Sequence, residues 1–596
     1  MKRPAPQGSR NTDNVLTERL AYSRAIVDWC FRAAASCAAR DQFNESLAWN
    51  GIAARVLATG CNPLVSVPLE RNLLDLARRL PPVVPTRVPG SRRRWLHVID
   101  RALPWGGHTA MARRWIEADR ANVHSVALTA QETPVPEALA AAVFKSGGEI
   151  LTATSGAPPL ERAVWLRRTA SEIADCVVLH IDTHNVIPTV AFGVEGGPPV
   201  LLVNHAAHTF WTGASIADLV LNCRGSELER SWTEQLRGIA RCATLPIPLS
   251  AGRSEDDTTA ATLRGAARKQ LDLPDHAPVL LSIGDGYKYT PIQGRDFLEA
   301  AERILERCPE AYMVVLGSPC DARWKAANAR LGGRLRALGR QHDVSVYHAA
   351  ADVYLEGFPF GSTTALLEAG LAGLPAVLAP GECPPPFGTD GVATDAVLVR
   401  PANIEKYISR AQELVENATE RSTCGRKLAA SVSDHHTGAG WLQYLGAVAA
   451  AVPDIHSVHP LTIPQAPAKT IEHYWAEFRA ANLEGDALTY PFDTALRAGL
   501  TPRMDPLLFK ACRKARQVRQ NSWLSLPVLA AFNTVLPLCS RARQWQLYAG
   551  FREFLKRAGK VRKHVRTFVN SLLYSERLLN NQDQRSVGHA MKSSGF

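Results

Sequence analysis

The chain is short of the features that most readily assign a protein to a compartment or a class. None of its apolar runs reaches the roughly 18 residues of a membrane-crossing helix, and its opening MKRPAPQGSRNTDNVLTERL has no apolar centre of the kind a signal peptide needs. A cytoplasmic location is therefore expected. The 12 cysteines contain no C-x-x-C pair and no Cys/His spacing of a zinc finger, so neither a disulfide framework nor a structural zinc site is suggested. Most are expected as buried thiols. There is no P-loop and no RNA-recognition motif, so the net charge of +12 does not by itself argue for nucleic acid. It fits an anionic membrane surface or a polyanionic small molecule equally well.

What is present is the texture of a large globular protein. At 596 residues, 46% hydrophobic and 21% charged, the chain has material for three or four folded units. Residues 12–85 read as helices, with Leu16, Leu20, Ala25, Val27 and Cys30 spaced along Val15–Ala38 and the same texture from Asn44 to Ala58. A proline-rich, basic break follows from Pro81 to Arg94. Short apolar strands then alternate with helical stretches at Trp95–Ile99, Val123–Leu128, Cys176–Ile181 and Pro199–Asn204. The alternation resumes, after polar Ser250–Thr259 with its solvated Asp256-Asp257 pair, at Val279–Ile283, Tyr312–Gly317, Val344–Tyr347, Ala376–Ala379 and Ala396–Val399. Alternation of this kind predicts parallel β/α/β units. The expected boundaries are a helical region at 1–90, two doubly wound domains at 91–250 and 260–455, and a basic helical region at 465–596. Within the last, 551–569 carries seven Lys/Arg against one Glu, interleaved with apolar residues at helical spacing. It reads as an amphipathic helix suited to its own protein or to an anionic membrane.

The densest chemistry lies in ADVYLEGFPFGSTTALLEAGLAGLPAVLAP, residues 351–380. A short strand leads into Gly361-Ser362-Thr363-Thr364, then a helix, then a strand. Hydroxyls and free N–H groups at a helix start suit a diphosphate, although plain N-capping is the simpler use for them. Glu368, one turn on, is placed to accept the two hydroxyls of a ribose. Upstream, the strand Val279–Ile283 runs into Gly284-Asp285-Gly286-Tyr287-Lys288, setting a basic side chain at the edge where open α/β sheets bind ligands.

Together Asp352, Gly357 to Thr364, Glu368-Ala369 and Gly373-Leu374-Pro375 resemble the nucleotide-sugar signature of GT-B glycosyltransferases. The resemblance implies two facing Rossmann-like domains with helical extensions. It also implies a nucleotide-diphosphate sugar as donor, with a UDP-sugar favoured, Gly284 and Lys288 at the phosphates, and no metal. Position 360, eight before Glu368, is Phe360 where many retaining members carry a second glutamate. The form FPFGSTT is nearer the O-GlcNAc transferase and bacterial protein N-glucosyltransferase branch, so inversion is expected.

In the first sheet domain the loop Gly106-Gly107-His108 after Trp95–Ile99 resembles the first glycine loop of such enzymes. His180 and His184 follow one apolar strand, and His205 and His208 another. All should open onto the acceptor cleft. His205 or His208 is the expected base, since imidazole titrates near neutrality. The function expected is sugar transfer to a protein, glycan or lipid-linked acceptor. A sugar-nucleotide epimerase and an inactive nucleotide-binding scaffold are the rival readings.

Overall fold

The computed structural model describes residues 8–83, 90–250, 257–461 and 469–482. The basic segment 551–569 and the Asp256-Asp257 side chains lie outside what is described. The chain divides into two compact units, one of them running from Asn62 to Asn482. The other contains the helices Gly8–Ala38 and Phe43–Val56. These bury Leu20, Ile26, Cys30, Leu47 and Ile52, with Trp29 and Trp49 meeting edge to face at 4.9 Å.

Within 62–482 the alternating pattern resolves into two all-parallel sheets. The first has seven strands: β1 Arg94–Ile99, β2 Val123–Leu128, β3 Ile150–Thr152, β4 Cys176–His180, β5 Val200–Asn204, β6 Leu219–Asn222 and β7 Cys242–Thr244, in the order β3-β2-β1-β4-β5-β6-β7. The second has five: β8 Val279–Ile283, β9 Tyr312–Leu316, β10 Leu335–Leu338, β11 Val353–Leu355 and β12 Ala376–Val377, in the order β10-β9-β8-β11-β12. Helices cover both faces, which is why the central strands read as apolar runs without alternation. The winding reverses between β1 and β4 in one sheet and between β8 and β11 in the other. Ligands of such sheets sit at that reversal, beyond the carboxyl ends of the strands.

Two expected strands are absent. Val344–Tyr347 instead opens the helix Ser345–Ala350, because the Asp343 carboxylate accepts the Ser345 N–H (2.9 Å) and starts a turn. The strand in that region is β10, whose Arg336 hides its period. Ala396–Val399 forms turns and coil, with Val399 90% exposed. The chain also returns to the first sheet after completing the second. Trp441, Leu445 and Val448 of the helix Gly438–Ala451 pack with Trp95, Trp115 and Leu201, and the Trp441 indole donates to the Pro246 carbonyl (2.7 Å).

The carboxyl ends of the two sheets face each other. Arg224, beyond β6, forms a buried ion pair with Asp390, which also accepts the Ser226 hydroxyl. His208, beyond β5, lies edge-on against Phe360, beyond β11, at 4.8 Å. No helix among the described residues is long and apolar enough to cross a membrane.

Candidate active site

On the second sheet, the loops after β8 and β11 meet at the reversal point. Lys288 sits in the one-turn helix Gly286–Tyr289 and sends its ammonium to the Gly361 carbonyl (2.8 Å) and the Ser362 hydroxyl (3.1 Å). It also lies over the Phe360 ring at 4.7 Å. The ammonium has no carboxylate in direct contact, and withdrawal from water pushes its pKa down to about 8. Such a cation is short of a counter-charge. Ser362 stands at the N-cap of the helix Thr363–Leu371 but makes no capping hydrogen bond, so its hydroxyl serves Lys288 rather than the helix start. Thr363 accepts a hydrogen bond from Thr389 (3.1 Å), and Thr364 is exposed.

Tight backbone keeps these groups in place. A Cβ on Gly361 would fall 2.1 Å from Glu356 Oε1 and 3.1 Å from the Phe387 carbonyl. Glu356 cannot move aside, because its carboxylate is fully buried and holds the Ala379 and Thr389 N–H groups at 2.7 and 2.8 Å. Gly284 is similarly close to Ser362 Oγ, at 3.1 Å from an added Cβ. Gly361→Ala is expected to cost about 1–3 kcal/mol, the usual range for overpacking a closed site. A lower denaturant midpoint in equilibrium unfolding checks this, and an unchanged midpoint counts against a rigid Glu356 buttress.

Glu368 lies one turn into the same helix, and its carboxylate is ion-paired with Arg114. Arg114 comes from the helix Gly107–Ala118 of the first sheet, so this pair links the two domains. Gly106 caps that helix, and a Cβ there would lie 3.3 Å from Thr109 Oγ1. Gly107 has open space beside it.

On the first sheet, the expected histidines separate into two environments. His208 is enclosed by Phe360, Phe387 and Trp475, with ring centroids 4.8, 5.8 and 5.0 Å away. Burial, with Lys288, Arg224 and Arg237 nearby, pushes its pKa down to about 3. His205 belongs to a polar array instead. His108 lies over it, tilted by 31° at 4.2 Å, and His205 Nε2 meets His180 Nδ1 at 3.1 Å. His184 sits in the turn that the Asn185 N–H closes on the Asp182 carbonyl (2.9 Å).

The loop carrying His205 and His208 is anchored by Arg237. This fully buried guanidinium donates to the carbonyls of Leu64, Ala207 and Thr209. Asp100, at the end of β1, accepts from the Asp182 N–H (2.7 Å), the Thr129 hydroxyl (3.2 Å) and the Asn185 amide. Burial and the Asp182 charge raise its pKa to about 7. Asp100, Glu356 and Arg237 were not singled out by the sequence. Asp100 and Glu356 each stand just past an apolar strand, where a lone charged residue is indistinguishable from a solvated loop residue, and Arg237 follows the helical turn Trp232–Leu236 with no mark in the sequence.

Lys288, Gly361 and Ser362 thus form a cationic cradle at a helix start, beside a carboxylate one turn on. Residues 277–417 match the family of glycosyl transferases group 1. Every candidate on the second sheet, from Gly284 to Glu368, falls inside that group 1 segment. The facing, doubly wound sheets give the GT-B architecture that the signature implied. No curated protein matches the chain. Among solved structures, a glycosyltransferase from Rickettsia africae is 11% identical, with a TM-score of 0.47 over 60% of this chain and 98% of its own. The Anabaena HepE protein in complex with UDP-glucose is 16% identical, with a TM-score of 0.45 over 60% and 99%. An O-GlcNAc transferase mutant from Thermobaculum terrenum is 15% identical, with a TM-score of 0.44 over 78% and 83%.

Proposed function

We propose that the chain transfers a hexose from a nucleotide-diphosphate sugar, a UDP-sugar by preference, to a protein, glycan or lipid-linked acceptor, with inversion. The observation that carries this is the Lys288 ammonium held against Gly361 and Ser362 at a helix start, inside the group 1 segment. In the reaction the acceptor heteroatom bonds to the anomeric carbon as the bond to the diphosphate oxygen breaks. The departing electron pair stays on the diphosphate, where Lys288 and the N–H groups around Thr363 and Thr364 offset its charge. Glu368 receives the ribose hydroxyls. The acceptor's proton passes to His205, which is half-buried and faces the first glycine loop.

His208 is less suited to that role. An imidazole closed in by three aromatic rings and beside three cations resists a proton, and it serves better as the wall between acceptor loop and donor loop. Phe360 in place of a second glutamate supports inversion, and the FPFGSTT form supports the O-GlcNAc transferase-like branch. The reading further includes work in the cytoplasm, at a membrane surface if 551–569 docks there.

Calorimetry against UDP, GDP, CDP, ADP and their sugars tests the donor site. One nucleotide should bind the wild type, and Glu368→Ala should weaken it at least about tenfold, the worth of a charge-assisted contact; no binding by any of them would sink the proposal. The Arg114–Glu368 pair competes with a ribose for the same carboxylate. Such a pair, with side chains 16% and 28% exposed, is worth about 1 kcal/mol, the upper end for solvent-accessible pairs, so Arg114→Ala should tighten nucleotide binding by up to roughly fivefold. Weaker binding in that variant would instead make Arg114 part of the donor site.

A further inference from the structure

The first sheet carries a row of imidazoles that the transfer reaction, as described, uses only at one end. His124 on β2, His97 on β1 and His180 on β4 are all 0% exposed. Strand register places them on one face: His124 lies opposite Trp95, two residues before His97 on the same side, and His180 lies opposite Ile99, two residues after it. The row therefore climbs diagonally across three strands, beneath Trp115, and reaches His205 just past β5. Each ring touches the next through nitrogen. His124 Nδ1 meets His97 Nε2 at 3.0 Å, His97 Nδ1 meets His180 Nε2 at 3.0 Å, and His180 Nδ1 meets His205 Nε2 at 3.1 Å. The rings do not converge as metal ligands would, and among the described residues no group of three or more His, Cys, Asp or Glu is set to hold a metal.

One end fixes the protonation of the whole row. His124 Nε2 faces the Asp119 carbonyl at 3.1 Å and the Asp119 carboxylate at 3.3 Å. Both are acceptors, so a neutral His124 carries its proton on Nε2 and accepts through Nδ1. His97 then donates through Nε2 and accepts through Nδ1, and His180 and His205 follow in turn. The outcome is a bare Nδ1 on His205, a lone pair with no protein partner among the described residues. That is the state a base requires.

Resting on the reading of His205 as the base, we infer that His205, His180, His97 and His124 form a proton wire that ends on the Asp119 carboxylate. When His205 Nδ1 takes the acceptor's proton, the Nε2 proton of His205 moves to His180 Nδ1. That of His180 moves to His97 Nδ1, that of His97 to His124 Nδ1, and that of His124 to Asp119 Oδ2. Each ring gains one proton and loses one, so every imidazole stays neutral and the added proton resides on a carboxylate. Asp119 returns it when the transfer is complete. The row then shifts back, and His205 Nδ1 releases the proton to water or to the departing diphosphate. Without the wire, the positive charge would remain on a desolvated imidazole. Burial holds His97, His180 and His205 well below the usual histidine range, so a lone His205 would be a poor base. Burial opposes ionisation of Asp119 as well, but hydrogen bonds from His124 and Asn122 outweigh it and keep the carboxyl below its ordinary value. It is thus a temporary store for the proton and not its final owner.

The test joins a spectrum that needs no turnover with kinetics that do. In the full-length protein labelled with 15N-histidine, the four rings should each show a single neutral form, protonated at Nε2 and bare at Nδ1. A protonated Nδ1 on His205, or a mixture of tautomers along the row, overturns the wire. In His97→Phe, which keeps an aromatic ring beneath Trp115, kcat should fall by about 10²–10⁴, the usual range for proton-transfer assistance. Nucleotide affinity should stay unchanged, and the curved proton inventory of the wild type should become linear. A folded His97→Phe with unchanged kcat and an unchanged inventory overturns the proposal. If that variant does not fold, Asp119→Asn, which removes the store and keeps a hydrogen-bond acceptor, carries the same kinetic comparison. Absence of turnover with every donor would sink the transferase reading alone, and the nitrogen spectrum would still decide the wire.

Discussion

Replacing Lys288 with alanine should lower kcat by about 10²–10³, the cost of removing one fixed stabiliser of charge developing in the transition state. The effect is expected to be large because, among the described residues, the arginines nearest the cradle already have partners. Arg114 is paired with Glu368 and Arg224 with Asp390, so neither is free to take over. Lys288→Met separates charge from packing. It keeps an apolar stem over Phe360, and if the loss matches that of the alanine variant, the charge and not the contact is responsible. The pH dependence has a definite sign. Lys288 is protonated below its pKa of about 8 and loses its charge above it, so kcat/KM, which reports the free enzyme, should fall as pH rises past about 8. A bound diphosphate favours the charged form. In kcat the same limb should therefore lie at higher pH, and coincident limbs would argue against Lys288 touching the phosphates.

His205→Ala should lower kcat by about 10²–10⁴, the range for a positioned base, while leaving nucleotide affinity within about twofold. The separation is expected because His205 belongs to the first sheet, with His108 and His180 as its neighbours, whereas the nucleotide is assigned to the second. His208→Ala offers the contrast. It removes a ring packed on Phe360, Phe387 and Trp475 and should act mainly on stability and donor KM. Single-turnover kinetics at saturating donor distinguish the two variants. A His208→Ala enzyme with normal donor binding and no chemistry would exchange their roles.

The cradle proposed for the donor was legible in the sequence as a local motif. Lys288 follows β8 by five residues, and Gly361 to Glu368 form one continuous turn and helix. The order strand, loop, helix fixes what such a segment can do. The histidine row is assembled from residues 97, 124 and 180, on three strands, and 205, just past a fourth, and no spacing within one segment announces it. The available signal was the occurrence of His97 and His124 inside otherwise apolar strands, where a buried polar ring must find a partner. Pairing of Arg114 with Glu368 across 254 positions had no sequence mark at all. The two missed strand assignments share a cause: Val-Ser-Val-Tyr at 344–347 and Ala-Val-Leu-Val at 396–399 are four-residue segments, too short to distinguish a strand from a helix start or a turn, and Asp343 decided one of them.

The return of the chain to its first sheet limits how the protein can be divided. A shortened chain ending near residue 250 would hold all seven strands, yet Trp95 and Trp115 would lose Trp441, Leu445 and Val448, and Pro246 would lose the indole that binds its carbonyl. Asp218 would lose His456, which is fully enclosed between it and the Phe192 carbonyl at 2.7 and 2.6 Å. The core of the first sheet is thus completed by residues translated some 200 positions after its last strand. During synthesis its core stays open until the second sheet has emerged, and a frameshift anywhere in the second sheet's segment leaves the first sheet's core incomplete as well.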